Sequence, residues 1–106
     1  MTDAGVDFHL DMERQAGRLS ISAYVATAAP RVLTWRLVAV STTAGGRSEV
    51  VQSGTTDGMR RGAVGSLGML AQSEGCVVLT VSEGGREIGR KAQSISLDTT
   101  GQDRCD

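Results

Sequence analysis

The alternation of apolar and polar positions is clearest between residues 32 and 40. Successive side chains of an extended strand point to opposite faces. One face here is apolar throughout and carries Leu33, Trp35, Leu37 and Ala39. The other face is apolar except at Thr34 and Arg36. This pattern predicts a central strand with one face in a sandwich core and the other face partly covered. Trp35 is expected to bury about 200 Å² as the largest core side chain.

Six further segments show strand patterns, separated by turn residues at intervals of about 8 to 15 residues. With the tryptophan strand, the predicted strands cover residues 6–13, 18–27, 32–40, 47–54, 63–71, 76–83 and 86–97. Gly65 and Gly68 interrupt the fifth segment, which indicates a bulge or a close approach of another group. Ile88 and Ile95 have opposite parity in the last segment, so a bulge is expected near Lys91 and Ala92.

The first segment alternates apolar residues with Asp7, His9, Asp11 and Glu13. This is typical of a half-exposed strand at a sheet edge, where charge discourages pairing with another chain. His9 is the only histidine. It therefore has no second histidine for a metal site or a catalytic pair, and we expect a structural role.

The chain has 106 residues, 14 glycines and only three aromatic residues, so its core must be built from aliphatic side chains. These features predict one all-β domain, a seven-stranded antiparallel immunoglobulin-like β-sandwich. The antibody Cys-Trp-Cys pattern is missing because no cysteine precedes Trp35. The sandwich is expected to span residues 6–97, between disordered termini at 1–5 and 98–106. Its predicted core residues are Trp35, Leu33, Leu37, Phe8 and Leu79.

The net charge of −1 is unevenly distributed along the chain. Residues 1–13 contain four acidic and no basic residues, whereas residues 14–61 contain seven basic and two acidic residues. Ten of the eleven basic residues are arginine, whose planar group offers several hydrogen-bond donors. The overall charge does not point to nucleic acid or a membrane. The arginines serve either as ordinary surface charge or as contacts for a protein partner.

No residue pattern points to catalysis. The sequence has no phosphate-binding glycine loop, no zinc-type spacing of cysteine and histidine, and no calcium loop. A serine hydrolase would need His9, which has no nucleophile motif nearby. We therefore expect a binding module rather than an enzyme, with no catalytic residues, no metal and no cofactor.

Two cysteines leave the redox compartment open. Cys76 opens a predicted strand and Cys105 lies in the polar tail, without a C-x-x-C motif. Two free thiols are the favoured interpretation, and a disulfide that clamps the tail is the alternative.

A family resemblance runs through the turns and small residues of the second half. Its motifs are Gly45-Gly46-Arg47-Ser48, Gln52-Ser53-Gly54, Leu67-Gly68, the strand Cys76 to Val81, and Gly84-Gly85. With the upstream Gly17-Arg18-Leu19, the chain resembles the CsgC-like family of curli-assembly proteins over roughly residues 5–97.

This resemblance implies a periplasmic immunoglobulin-type sandwich that keeps the disordered curlin subunit from forming amyloid before export. It implies a monomer without a cofactor, without membrane insertion, and with its signal peptide removed. The chain departs from the CsgC branch because the Cys-x-Cys pair is missing. A thiol-redox role discussed for that branch is therefore in doubt here.

The first client-binding candidates are basic residues in a polar loop and on the last strand. Two further arginines are second-rank candidates. The full set is Arg60, Arg61, Arg86, Arg90 and Lys91, followed by Arg36 and Arg47. Arg86 and Arg90 share parity with Ile88, which predicts one charged and partly apolar stripe on an edge strand. Two other functions stay open, a small adhesin-like binding module and a thiol-redox module that uses Cys76.

Overall fold

A computed structural model describes residues 5–59, 61–70 and 74–95. These residues form seven strands and no helix. The strands are β1 (Val6–Gln15), β2 (Arg18–Thr27), β3 (Leu33–Thr43), β4 (Gly46–Thr56), β5 (Gly65–Leu70), β6 (Glu74–Glu83) and β7 (Arg86–Ile95). The described residues include no helix long and apolar enough to cross a membrane.

All strand pairs are antiparallel, and they build two sheets with the orders β1-β2-β5 and β4-β3-β6-β7. The predicted all-β, seven-stranded sandwich is confirmed. The tryptophan strand β3 lies between β4 and β6, and β1 lies at a sheet edge, as expected. The predicted disordered termini fall outside the described residues except for Gly5, and so do Ala71, Ser96 and Leu97 at the predicted strand ends.

The core lies between the two sheets and is aliphatic apart from one indole ring. Its buried residues are Val6, Leu19, Ile21, Ala23, Val25, Leu33, Trp35, Leu37, Ala39, Leu67, Val77, Leu79, Val81 and Ile95. Four of the five predicted core residues are thus confirmed. Phe8 is only half-buried because it packs at the margin of the core on an edge strand.

Some strands extend beyond their predicted ends, because polar residues continue the pairing with the neighbouring strand. Residues 41–43 were expected in a loop but extend β3, and Ser41 is buried. The Ser41 hydroxyl lies 3.0 Å from the hydroxyl of the exposed Ser48, and this hydrogen bond satisfies the buried Ser41. Similarly, the expected loop at 14–17 shrinks to a two-residue turn at Ala16 and Gly17, both with positive φ, as type I′ hairpins require.

The bulge in β7 lies at Ile88, not near Lys91 and Ala92. Val81 is opposite Gly89 and Ser82 is opposite Glu87, which leaves Ile88 as the extra residue. The pairing is regular from Gly89 onward. Ile88 packs against the core at this bulge, and the strand continues beyond it. The residues before Ile88 therefore point to the opposite faces from those that strict alternation predicts.

Gly65 marks a close approach rather than a bulge. β5 pairs with β2 in continuous register through this residue. A Cβ on Gly65 would lie 2.6 Å from Cη2 of Trp35, and a Cβ on Gly54 would lie 3.0 Å from its Cζ2. The indole ring therefore occupies space that only two glycines leave open.

An ion pair joins the β2–β3 connection to the end of β6. Arg31 donates from Nη2 to Glu83 Oε1 at 2.6 Å and from Nε to Oε2 at 3.1 Å. Such two-pronged pairs are among the stronger charge-assisted hydrogen bonds. The hydrogen bond from Arg31, helped by its positive charge, lowers the pKa of Glu83 below its ordinary value of 4.5.

The lowered pKa of Glu83 predicts an acid-sensitive contribution to stability. Because the folded pKa lies below the unfolded one, the contribution is complete above about pH 4.5 and disappears as pH falls through the folded pKa. Glu83→Gln should therefore lower the midpoint of urea unfolding at pH 7 and have a smaller effect at pH 3. Glu87→Gln removes the same charge from an exposed position and is the control. A pH-independent effect of Glu83→Gln would contradict the role of the ion pair.

Candidate protein-binding surface

The four-stranded sheet turns one face to the core and the other away from it; the second is termed the outer face. Residues opposite each other on paired strands share a face. Val38 lies opposite both Val51 and Val78, and Val78 lies opposite Ala92. These four residues, termed the apolar band, cross all four strands. Val51 is 47% exposed, Ala92 is exposed, and the two central valines are half-buried.

Two arginines lie in the row next to the apolar band, with Thr80 between them. Arg36 is opposite Ser53 and Thr80, and Thr80 is opposite Arg90. Arg36 and Arg90, termed the arginine row, are both exposed and stand two strands apart, or about 10 Å. The outer face therefore presents aliphatic surface beside two planar cationic groups.

The remaining charged residues of the outer face are mostly acidic. They are Arg47, Glu49, Glu74 and Glu87. Among the described residues, the outer face thus carries three arginines and three glutamates. Because these charges cancel over the whole face, attraction for an acidic partner is confined to the arginine row.

Of the six predicted contact residues that the structure describes, it brings two together. Arg36 and Arg90 form the arginine row. Arg47 lies near the start of β4, whereas the partner of Arg36 on that strand, Ser53, lies near its end; Arg61 lies in the loop before β5. Arg60 lies outside the described residues.

The predicted stripe of Arg86, Ile88 and Arg90 is wrong. Arg86 lies opposite Glu83 and Arg90 lies opposite Thr80, on different faces of the sheet. The extra residue at the bulge inverts the parity, so two arginines four positions apart no longer share a face.

Lys91 has a partner inside the molecule. Its Nζ lies 5.9 Å from the centroid of the Phe8 ring, within the range of a cation–π contact. Phe8 also packs directly against Gly89, so β1 and β7 close this side of the sandwich. We therefore assign Lys91 to holding the two sheets together.

Cys76 lies on the outer face opposite Val40 and Ser94, one row from the apolar band. It is disulfide-bonded, so the favoured interpretation of a free thiol is wrong at this position. The only other cysteine of the chain is Cys105, outside the described residues. A thiol-redox function would have to begin with reduction of this disulfide, because the thiolate is the reactive form of cysteine.

His9 packs as a structural residue. Its ring stacks on that of Tyr24 at a centroid distance of 4.7 Å and an interplanar angle of 10°. These two residues are direct partners in the β1–β2 pair. No group of three potential metal ligands occurs among the described residues.

Sequence analysis missed the apolar band as a site. Its signal was available in part, because Val38 and Val78 each lie at the parity opposite the core face of their strand. The alignment of those valines with Val51 and Ala92 depends on strand order and register, and neither follows from one strand alone.

Comparison with known proteins finds related folds. No family model matches the chain, and no curated protein matches it. The solution structure of R. palustris CsgH matches with a TM-score of 0.67 and 17% identity, over 84% of this chain and 91% of that one. The E. coli curli protein CsgC matches with a TM-score of 0.65 and 15% identity, over 84% of this chain and 96% of that one. At this identity the likeness establishes a shared fold, in agreement with the resemblance seen in the sequence.

Proposed function

We propose that this chain is a curli-related periplasmic chaperone that delays amyloid assembly of the curlin subunit through transient, charge-guided contacts. The observation that carries the proposal is the apolar band beside Arg36 and Arg90 on one sheet face. The fold shared with CsgH and with the E. coli curli protein CsgC supports a role connected with curli.

The outer face suits a disordered client. An amyloid precursor exposes short strand-forming segments that lack a packed surface of their own. The apolar band offers such segments a narrow aliphatic strip, and the arginine row offers donors for carboxylates or backbone carbonyls. Both areas are small, so the contact is brief. A brief contact is sufficient to intercept early oligomers.

The disulfide at Cys76 supports an exported protein. Disulfides persist in the bacterial periplasm and are rare in the reducing cytosol. The proposed activity makes and breaks no covalent bond. It therefore requires no cofactor, and one chain is sufficient for it.

Reversing the charge of the arginine row tests the proposal. Arg36→Glu/Arg90→Glu is expected to abolish most of the delay in thioflavin-monitored curlin assembly at low salt, because it replaces local attraction for carboxylates with repulsion. The wild-type delay should shorten as ionic strength rises from about 0.01 M to above 0.15 M, where the screening length falls from about 30 Å to below 8 Å.

Arg61→Glu/Arg86→Glu is the matched control. It changes the net charge equally, at two exposed positions away from the arginine row, and should keep most of the delay. Circular dichroism must show that both variants are folded. Equal activity of the two variants, together with a delay that does not respond to salt, would exclude the electrostatic mechanism.

A further inference from the structure

From residue 50 to residue 56 the edge strand β4 lacks the usual protection against pairing, because its charged residues Arg47 and Glu49 lie near one end. Sheet edges are normally shielded by charge, bulges, proline or short length. Among the described strands, β1 carries acidic residues, β5 has six residues, and β7 has both a bulge and several charges. β4 has eleven residues, contains no proline, and pairs with β3 over its full length without a bulge.

The hydrogen-bonding groups at the free edge of β4 follow from the hairpin. Thr43 and Gly46 are direct partners across a two-residue turn, and such a closing pair is hydrogen-bonded. Hydrogen-bonded pairs then alternate along the ladder. The N–H and C=O groups that point away from β3 therefore belong to Arg47, Glu49, Val51, Ser53 and Thr55. Within the described ranges, no strand pairs with this edge.

A groove runs beside the free edge, between β4 and the end of β5. Its volume is about 410 Å³, and its apolar lining comes from Val50, Met69 and Leu70. Val50 is 40% exposed and Leu70 is 57% exposed. Gly46 also lines the groove and leaves room for a side chain from another chain, whereas the guanidinium of Arg18 lies over Gly68. By contrast, Phe8 and Lys91 close the opposite side of the sandwich.

The free edge is continuous with the outer face. Val51, at the edge, is the end of the apolar band, and Ser53 lies directly beside Arg36. A strand added to β4 would place alternate side chains in the groove and the others next to the apolar band. The segment from residue 50 to residue 56 contains no charged residue, so pairing here buries no charge of this chain.

We propose that β4 accepts an extended, uncharged segment of the curlin subunit as a fifth strand of the four-stranded sheet. The inference rests on the proposed function and adds where the client is held. Main-chain hydrogen bonds supply the attraction, as in other strand-addition complexes. Small apolar side chains of the client enter the groove, and a flanking client carboxylate meets Arg36. Occupied edges cannot template further strands, so the client is kept from growing.

Ser53→Pro tests the inference at a single backbone group. The Ser53 N–H points away from β3, so proline removes an outward donor without breaking the β3–β4 ladder, and its φ is tolerated on an edge strand. We expect about tenfold more of this variant to be needed for the wild-type delay, since the loss of one hydrogen bond and the steric block by the ring each weaken pairing.

Ser53→Ala is the matched control. It removes the hydroxyl and keeps the backbone donor, so it should act like the wild-type protein. A fully active Ser53→Pro variant with an unchanged folded spectrum would overturn the inference.

Amide hydrogen exchange provides an independent readout with freshly purified curlin subunit. The outward amides of Glu49, Val51 and Ser53 should gain protection, whereas the amides already bonded to β3 should change little. If wild-type protein delays assembly without protecting these amides, the inference fails and the proposed function stands. If wild-type protein causes no delay, both fail. If protection depends on the concentration of this chain alone and a dimer sediments, the edge binds a second copy and the inference is overturned.

Discussion

Trp35→Ala is expected to lower the free energy of unfolding by about 3 to 5 kcal/mol, the usual cost of truncating a large aromatic in a core. Trp35 is 7% exposed and lies on the central strand β3. Its ring fills the space over Gly54 and Gly65, which carry no side chain that could occupy the cavity. The backbones on both sides are held in sheets, so collapse is limited. The total free energy of unfolding of such a domain is only about 5 to 15 kcal/mol.

Urea unfolding followed by circular dichroism measures this loss, because the variant has no tryptophan fluorescence. Trp35→Phe keeps an aromatic ring in the same space and should lose clearly less stability. A loss below about 1 kcal/mol for Trp35→Ala would mean that the cavity refills, in contradiction to a ring held between two glycines.

Gly75→Ala is expected to have the next largest effect, a loss of about 3 kcal/mol, at the upper end for overpacking. Gly75 lies between Ser41 on β3 and Ile95 on β7. A Cβ at this position would overlap the backbone carbonyl oxygen of Val40. A backbone atom of a central strand has no alternative rotamer, so the pairing of β3 with β6 must open at this end.

Gly89→Ala is the control for Gly75→Ala. A Cβ on Gly89 would also overlap another group, but that group is the far end of the half-buried Phe8 side chain. Phe8 can rotate outward, so the loss should be well below that of Gly75→Ala. Thermal unfolding of both variants makes the comparison. Equal melting temperatures would show that the β3–β6 end adapts as easily as the sandwich margin.

Much of the fold could be predicted from the sequence because the alternation of side chains is a local property. Leu33, Leu37 and Leu79 are buried as expected, since a strand with one apolar parity has only one face that suits a core. The turn between β6 and β7 consists of a glycine pair, which is also a local signal. Gly84 and Gly85 both adopt positive φ, which costs glycine little.

Polar residues in strands were harder to predict. Ser41 extends β3 because Ser48 satisfies its hydroxyl across the β3–β4 pair. No local preference of serine for strands indicates this, since the stabilising partner is set by register. The bulge lies at Ile88, three positions before the predicted place. Its position depends on the partner strand and the core, because these decide where an unpaired residue fits.

The candidate site was determined largely by tertiary structure. The sequence identified an arginine-rich surface and a sandwich of the CsgC-like type, but it grouped Arg86 with Arg90. The bulge separates those two, and strand order places Arg36 in one row with Arg90 instead. The disulfide at Cys76 and the free edge of β4 likewise depend on distant parts of the chain, since none of the other described strands except β3 pairs with β4. Side-chain alternation by itself therefore determined which residues face the core. Strand order and register decided which charges meet, because they depend on contacts between distant segments that no local pattern encodes.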